Sequence, residues 1–229
     1  MSAFRDQAAK GSASRSVSSV GACDEQRNLR EFWASGRASW RAIKAITGYQ
    51  PISSDVVVDI GCGAGRLTRA IAPQVRHVYG FDISQEMLEL AAAADIPNAT
   101  YYIPHGFTLR QLPDAFVDCV LAYSVFQNLP SLDALRIYLS DMVRVAKPGA
   151  FIAFTLPERD RTYYLQPLRR LGERLLHRGE VGVYCKERSG IRPAERQVRR
   201  LCPVPLRRVK LHGNQWLWFG FAPSLPWEP

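Results

Sequence analysis

Residues 56–68 read Val-Val-Val-Asp-Ile-Gly-Cys-Gly-Ala-Gly-Arg-Leu-Thr. Val56, Val57, Val58 and Ile60 are β-branched and broken only by Asp59, the pattern of a strand buried on both faces of a parallel sheet. Gly61, Gly63 and Gly65 follow where such a strand turns into a helix, and glycines there let backbone amides approach a ligand. The dinucleotide fingerprint GxGxxG requires a glycine where this chain has Arg66, so a ligand of another kind is expected on the turn.

A second strand, Val78-Tyr79-Gly80-Phe81, ends in Asp82-Ile83-Ser84. Asp82 lies about 20 residues beyond the first glycine, where α/β nucleotide-binding folds place a carboxylate for ribose hydroxyls. The other role open to Asp82 is capping the helix that begins near Ser84, but Ser84 is itself a competent cap and leaves Asp82 free.

Further on, Phe116-Val117-Asp118-Cys119-Val120-Leu121-Ala122 reads as a fourth strand, followed by Tyr123-Ser124-Val125-Phe126-Gln127-Asn128-Leu129-Pro130. Arg144-Val145-Ala146-Lys147-Pro148-Gly149-Ala150 closes a helix and enters the strand Phe151 to Leu156. These segments, in this order over about 100 residues, resemble the motifs of class I S-adenosylmethionine-dependent methyltransferases, with Ala146 and Ala150 as mild departures. Asn28 to Trp40, Gly63 to Ala70, Ser124 to Pro130, Tyr138-Leu139 and His212 to Phe219 are further similar to a bacterial small-molecule group of that family. The likeness covers roughly residues 28–156 and 206–222 and fades between them.

Strands are expected near 55–60, 77–82, 99–103, 116–122 and 150–156, with helices near 66–72, 85–93 and 132–146. Arg207 to His212 and Gln215 to Phe221 form a closing hairpin around Gly213-Asn214. The fold class is therefore α/β, a Rossmann-like, doubly wound, seven-stranded sheet, mostly parallel with an antiparallel C-terminal hairpin. Residues 1–22 lack apolar periodicity and are expected to be a flexible tail, leaving 23–229 as one domain with 157–205 as its variable, substrate-side segment. An amphipathic helix from Asp24 to about Thr47, capped by Asp24 and stopped by Gly48, carries Phe32, Trp33 and Trp40. Those aromatics either shield a cofactor as a lid or pack on the sheet.

The resemblance implies transfer of a methyl group from S-adenosylmethionine to a small-molecule acceptor, on oxygen or nitrogen. Carried over residue by residue, it places Asp59, Gly61, Cys62, Gly63 and Gly65 around the methionine part of the cofactor and Asp82 on the ribose. Ile83 and Met87 would pack on adenine with His105, Gly106 and Phe107 nearby, and Tyr123 and Ser124 would sit by the amino-acid portion or the methyl. Phe126, Gln127, Asn128 and Trp216 are candidates for acceptor contacts, although Phe126 and Trp216 are also large enough simply to fill core.

Two positions depart from the family pattern. Asn128 replaces a histidine, and an amide takes no proton as imidazole does. His105 stands where relatives carry an acid that accepts from the adenine amino group, and neutral histidine accepts only through one ring nitrogen. No catalytic base is assigned; His105, Glu158, Tyr163 and His212 are all available. These departures motivate an alternative, a catalytically silent protein of this fold that binds the cofactor or a protein partner.

Composition bounds the rest. At 229 residues and 47% hydrophobic content the chain can bury a sound core. No run approaches the roughly 18 apolar residues of a membrane span, and Met1 to Asp6 lacks a secretory pattern. Five cysteines without CxxC pairing suit a reducing cytoplasm, and four histidines at non-ligating spacings argue against a metal. The net charge of +9 lies wholly in residues 157–211, with fifteen Lys and Arg against six Asp and Glu. That excess is read as a solvated helix face, with Arg169, Arg170, Arg174 and Arg178 around Leu168, Leu171, Leu175 and Leu176. An anionic small substrate is the other reading, and nucleic acid is disfavoured because aromatics are not interleaved with the basic residues.

Overall fold

In the computed structural model, residues 22–157, 191–211 and 215–223 are described. In chain order the elements are α1 (Ala22–Thr47), β1 (Val56–Ile60), α2 (Thr68–Ile71), β2 (His77–Phe81), α3 (Gln85–Ala93), β3 (Ala99–Tyr102), β4 (Val117–Ala122), α4 (Leu132–Val145), β5 (Ala146–Pro157), α5 (Glu195–Leu201), β6 (Arg207–Lys210) and β7 (Gln215–Phe221). The expected hairpin turn at Gly213-Asn214, the tail, the basic helix around Leu168 to Arg178, and Glu158, Tyr163 and His212 fall outside the described residues.

The seven strands form one sheet in the order β3-β2-β1-β4-β5-β7-β6. β1 pairs in parallel with β2 and β4, β2 with β3, and β4 with β5, whereas β7 runs antiparallel between β5 and β6. Strand order reverses between β1 and β4, the topological switch point at which such sheets open a crease beyond their carboxyl ends. All five residues of β1 are buried, as a strand with elements on both faces must be.

Alternation along the strands divides the core in two. On one face Val58, Ile60, Val120, Ile152 and Phe154 pack against Leu135, Leu139 and Met142 of α4. On the other Val57, Leu121, Phe151 and Ala153 meet Trp40 and Ile43 of α1 and Ile71 of α2. Trp40 is 1% exposed, so of the two roles open to it, packing on the sheet is the one adopted. α1 ends where expected: Gly48 takes φ +75° and its N–H donates to the Lys44 carbonyl at 2.9 Å.

Three boundaries differ from expectation. The first helix starts at Ala22, leaving Asp24 within it rather than at its cap. α2 spans only Thr68–Ile71 and tightens into a 3₁₀ turn over Ala72–Gln74, because Pro73 has no N–H to continue an α-helical ladder. β5 is longer than the expected 150–156, since Val117 pairs with Ala146 and Cys119 already with Phe151, leaving Lys147-Pro148-Gly149 as a bulge. Lys147 Nζ closes that bulge on Asp118 at 2.8 and 3.0 Å, and the same carboxylate accepts from the Val56 N–H at 2.9 Å.

Helix α5 was not foreseen, its apolar stripe being only Val198 and Leu201. It is held laterally, Glu195 receiving Arg199 at 2.8 Å and Arg208 of β6 at 2.5 Å, while both guanidinium groups lie over the Trp218 ring. Among the described residues no helix is long and apolar enough to cross a membrane.

One glycine positions α1 against the rest. A Cβ on Gly36 would lie 2.1 Å from the Arg66 carbonyl oxygen, so only glycine lets the helix touch the loop after β1. Alanine normally stabilises a helix interior by about 1 kcal/mol over glycine. Gly36→Ala is expected to do the opposite here, lowering stability in urea unfolding by about 1–3 kcal/mol as the helix is pushed away; an unchanged or raised midpoint would show that α1 does not bear on the loop.

Candidate functional site

The turn after β1 is shaped by two neighbours. The N–H groups of Gly61 and Cys62 both donate to the Phe81 carbonyl at the end of β2, at 2.6 and 3.0 Å. Gly61 holds φ +66°, and a Cβ there would lie 2.3 Å from Val125 in the segment after β4. Gly63, at φ +54°, has no atom within 4 Å of where its Cβ would be, so the lip of the loop faces open space. The loop closes with the Gly65 N–H on the Cys62 carbonyl at 3.0 Å and passes into α2.

Beneath it lies Asp59, 2% exposed, accepting from the Thr68 hydroxyl at 2.7 Å. Burial pushes its carboxyl up to about 6, and the Thr68 hydrogen bond pulls the other way. Asp59 therefore ties β1 to α2 from inside and presents nothing to the crease. Cys62 is also buried, and burial raises its thiol well above the ordinary value, so it acts here through its backbone.

Asp82 stands beside the loop. Its two oxygens accept from the Gly63 N–H and the Ser84 N–H, each at 2.9 Å. The helix cap is Ser84, whose hydroxyl accepts from the Met87 N–H at 3.3 Å. Each carboxylate oxygen has two lone pairs and has used one, so Asp82 orients the glycine loop and can still accept two hydroxyls. Ile83 is exposed and Met87 half-buried on the first turn of α3.

The segment after β3 settles the polarity of His105. The Gln111 amide nitrogen donates to the Ile103 carbonyl at 2.6 Å, which fixes which end of that amide is nitrogen, and it meets His105 Nδ1 at 3.0 Å. Nδ1 is then the acceptor and, in the neutral ring, the proton sits on Nε2. His105 thus offers a donor where a family carboxylate would accept. Gly106 turns at φ +65°, and Phe107 packs edge-on against Tyr138 at 5.7 Å.

After β4, exposed Ser124 adopts φ +63°, a strained conformation for a residue with a side chain. It is held by its N–H on the buried Thr155 hydroxyl at 2.7 Å and by Gln127, whose amide nitrogen donates to its carbonyl at 2.9 Å. Tyr123 is half-buried, with the Arg66 guanidinium 5.8 Å from its ring centre. Phe126 is wholly buried, 5.5 Å from both Tyr138 and Phe154, so it belongs to the core and offers no face to an acceptor molecule. Asn128 is exposed, and the Gln127 amide oxygen is buried without a partner. Trp216, at the start of β7 opposite Leu156, is half-buried beneath the Arg208 guanidinium at 4.2 Å.

With this geometry in hand, residues 58–154 match the family described as a methyltransferase domain. The match spans 97 of the chain's 229 residues and makes that stretch similar to class I methyltransferases. That family uses S-adenosylmethionine, and the open lip at Gly63 and the lone pairs left on Asp82 suit such a ligand.

Among relatives, the chain is 23% identical over 138 residues to a ubiquinone biosynthesis O-methyltransferase of Hydrogenovibrio crunogenus, covering 59% of this chain and 56% of that protein. It is 29% identical over 180 residues to a malonyl-[acyl-carrier protein] O-methyltransferase of Pectobacterium atrosepticum, covering 74% and 68%. The chain spans about half the length of the first of the curated relatives it matches. Its fold is that of magnesium protoporphyrin IX methyltransferase from Synechocystis PCC 6803, with a TM-score of 0.62 at 16% identity over 96% of both chains.

Sequence reasoning assigned no role to Thr68, Thr155, Gln111 or Gly36, although Thr68 and Gly36 stand within stretches singled out for their likeness to relatives. The hydroxyls and the amide act across 6 to 31 positions of chain, and no periodicity announces such pairs.

The Asp59 carboxyl gives a pH signature. Its pKa is about 6 when folded against an ordinary 3.8, so ionisation is disfavoured in the native state and stability falls as pH rises between those values. Asp59→Asn removes this dependence while leaving an oxygen for Thr68. In paired urea titrations, the stability of the variant relative to the parent is expected to improve on going from about pH 4 to about pH 7.5, by the order of 3 kcal/mol; a constant difference would mean Asp59 ionises freely.

Proposed function

We propose that the protein transfers a methyl group from S-adenosylmethionine to a small-molecule acceptor, on oxygen or nitrogen, in the cytoplasm. The observation that carries this reading is the Gly63 N–H held on the Asp82 carboxylate at 2.9 Å, which joins the glycine turn after β1 to an acid at the end of the neighbouring strand β2, where a ribose-binding carboxylate is expected. The O-methyltransferase names of two relatives support oxygen as acceptor.

In this reading Gly61, Cys62, Gly63 and Gly65 present backbone to the methionine part, with Asp59 holding the turn from below. Asp82 takes the ribose hydroxyls. Ile83 and Met87 cover the adenine, beside Gly106, Phe107 and the Nε2–H of His105, which meets a ring nitrogen rather than the amino group. Tyr123 and Ser124 flank the amino-acid portion. Gln127, Asn128 and Trp216 face the acceptor, and the unpartnered Gln127 oxygen can receive its O–H or N–H.

When bound, the cofactor supplies a methyl group on a positively charged sulfur, already electrophilic at carbon. What remains for the chain is to orient the acceptor in line and exclude water. Orientation of this kind is worth about 7–11 kcal/mol, which makes a transferase without a dedicated base at Asn128 chemically sound. No metal is needed for this step.

Calorimetry with S-adenosylhomocysteine tests the reading first. The parent protein is expected to bind it at one site, and Asp82→Ala to weaken binding by about ten- to a hundredfold through loss of charge-assisted hydrogen bonds and of the Gly63 anchor. Absence of binding to the parent overturns the reading. Binding with no S-adenosylhomocysteine formed from S-adenosylmethionine and any hydroxyl or amine acceptor would favour the silent alternative.

A further inference from the structure

Beyond the ends of β2 and β3 the chain forms a short loop whose polarity is fixed. His105 and Thr108 face each other across a single antiparallel bridge, and the Thr108 N–H at 3.3 Å and hydroxyl at 2.9 Å both donate to the His105 carbonyl. Gly106 turns between them with no atom within 4 Å of where a Cβ would lie, so the outer side of the turn is open. Ile83 and Ile103 are 49% and 45% exposed. A single exposed apolar residue is ordinary, but these two follow the ends of adjoining parallel strands, which stay paired to the last where the Asp82 N–H donates to the Tyr102 carbonyl at 3.2 Å. Bare apolar surface beside a carboxylate and a polar loop suits a flat ring joined to a sugar.

The acceptors of Ile103 and His105 in this loop are engaged. The Gln111 amide nitrogen donates to the Ile103 carbonyl at 2.6 Å and to His105 Nδ1 at 3.0 Å, which uses both of its hydrogens. The Gln111 amide oxygen is buried, so it offers nothing to a molecule arriving from solvent. What remains on the exposed imidazole is the Nε2–H, a donor. Gln111 is a positioning residue in this sense, holding the ring in the tautomer that donates outward.

A purine carries at its 6-position either an amino group, which donates, or an oxygen, which accepts. Strong rejection of the oxygen requires a fixed acceptor at that edge, because discrimination of this kind comes from polar groups left unpaired by the wrong ligand. We propose that His105 determines base selectivity at this site and that, as a donor, it admits a 6-oxopurine as readily as adenine, meeting the 6-oxygen of the one and a ring nitrogen of the other. The proposal rests on the methyltransferase reading, in which Ile83, Met87 and His105 surround the base of the cofactor, and it extends the accepted ligand from the adenosyl to the inosyl form.

The test compares S-adenosylhomocysteine with S-inosylhomocysteine, its 6-oxo counterpart, by calorimetry on the full chain. The two are expected to compete for one site with affinities within about threefold of each other. His105→Asp, at an exposed position away from the core, puts an acceptor on that edge and is expected to favour the adenosyl compound by about tenfold or more. A parent protein that already prefers the adenosyl compound by about tenfold or more overturns the proposal and leaves the methyltransferase reading standing. So does an unchanged ratio in a His105→Asp protein whose thermal unfolding matches the parent's. Binding of neither compound by the parent removes the reading and the proposal together.

Discussion

The arrangement depends on a backbone turn that cannot stand by itself. At the end of β1 the chain passes through three left-handed residues, Gly61, Gly63 and Gly65, and the turn persists because three of its neighbours hold its amides or its flank. The Phe81 carbonyl takes two N–H groups, the Asp82 carboxylate a third, and Val125 fills the space where a side chain on Gly61 would stand. Each of these partners sits at the carboxyl end of a strand or just beyond it. Parallel pairing of β1 with β2 and β4 brings those ends level, so the sheet register and the shape of the crease are one constraint.

The same turn is held from two further sides. Inside, Asp59 and Thr68 form a polar pair shut off from solvent, an arrangement that costs desolvation and is tolerated because the hydrogen bond is made. Outside, α1 crosses with Gly36 against the Arg66 carbonyl, and Arg66 reaches back to Ser39 at 3.1 Å. The residue that breaks the dinucleotide pattern thus has a structural role, fastening a helix over the glycine loop.

The segment after β4 is built differently. Ser124 is bent into the left-handed region and kept there by a buried threonine on the next strand, a local strain of the kind that gathers at working sites. The Gln127 amide nitrogen holds its carbonyl from three residues on.

Much of this was legible in the chain as written. The apolar run of β1, the alternation of glycines and the distance to Asp82 are local patterns, and each reports a backbone conformation or strand period that neighbouring residues impose on one another. The resemblance to class I methyltransferases, the sheet with its antiparallel closing pair, and Ser84 rather than Asp82 as the cap were all accessible on that basis. What the sequence could not disclose were relations between distant positions: Phe126 as core, the β5 bulge clamped by Lys147 on Asp118, helix α5 held by Arg208, and the proton position on His105 set by Gln111. Periodicity encodes which face of an element is apolar; only packing decides what that face meets, because hydrogen bonds and charge pairs form across space between residues whose separation along the chain carries no pattern.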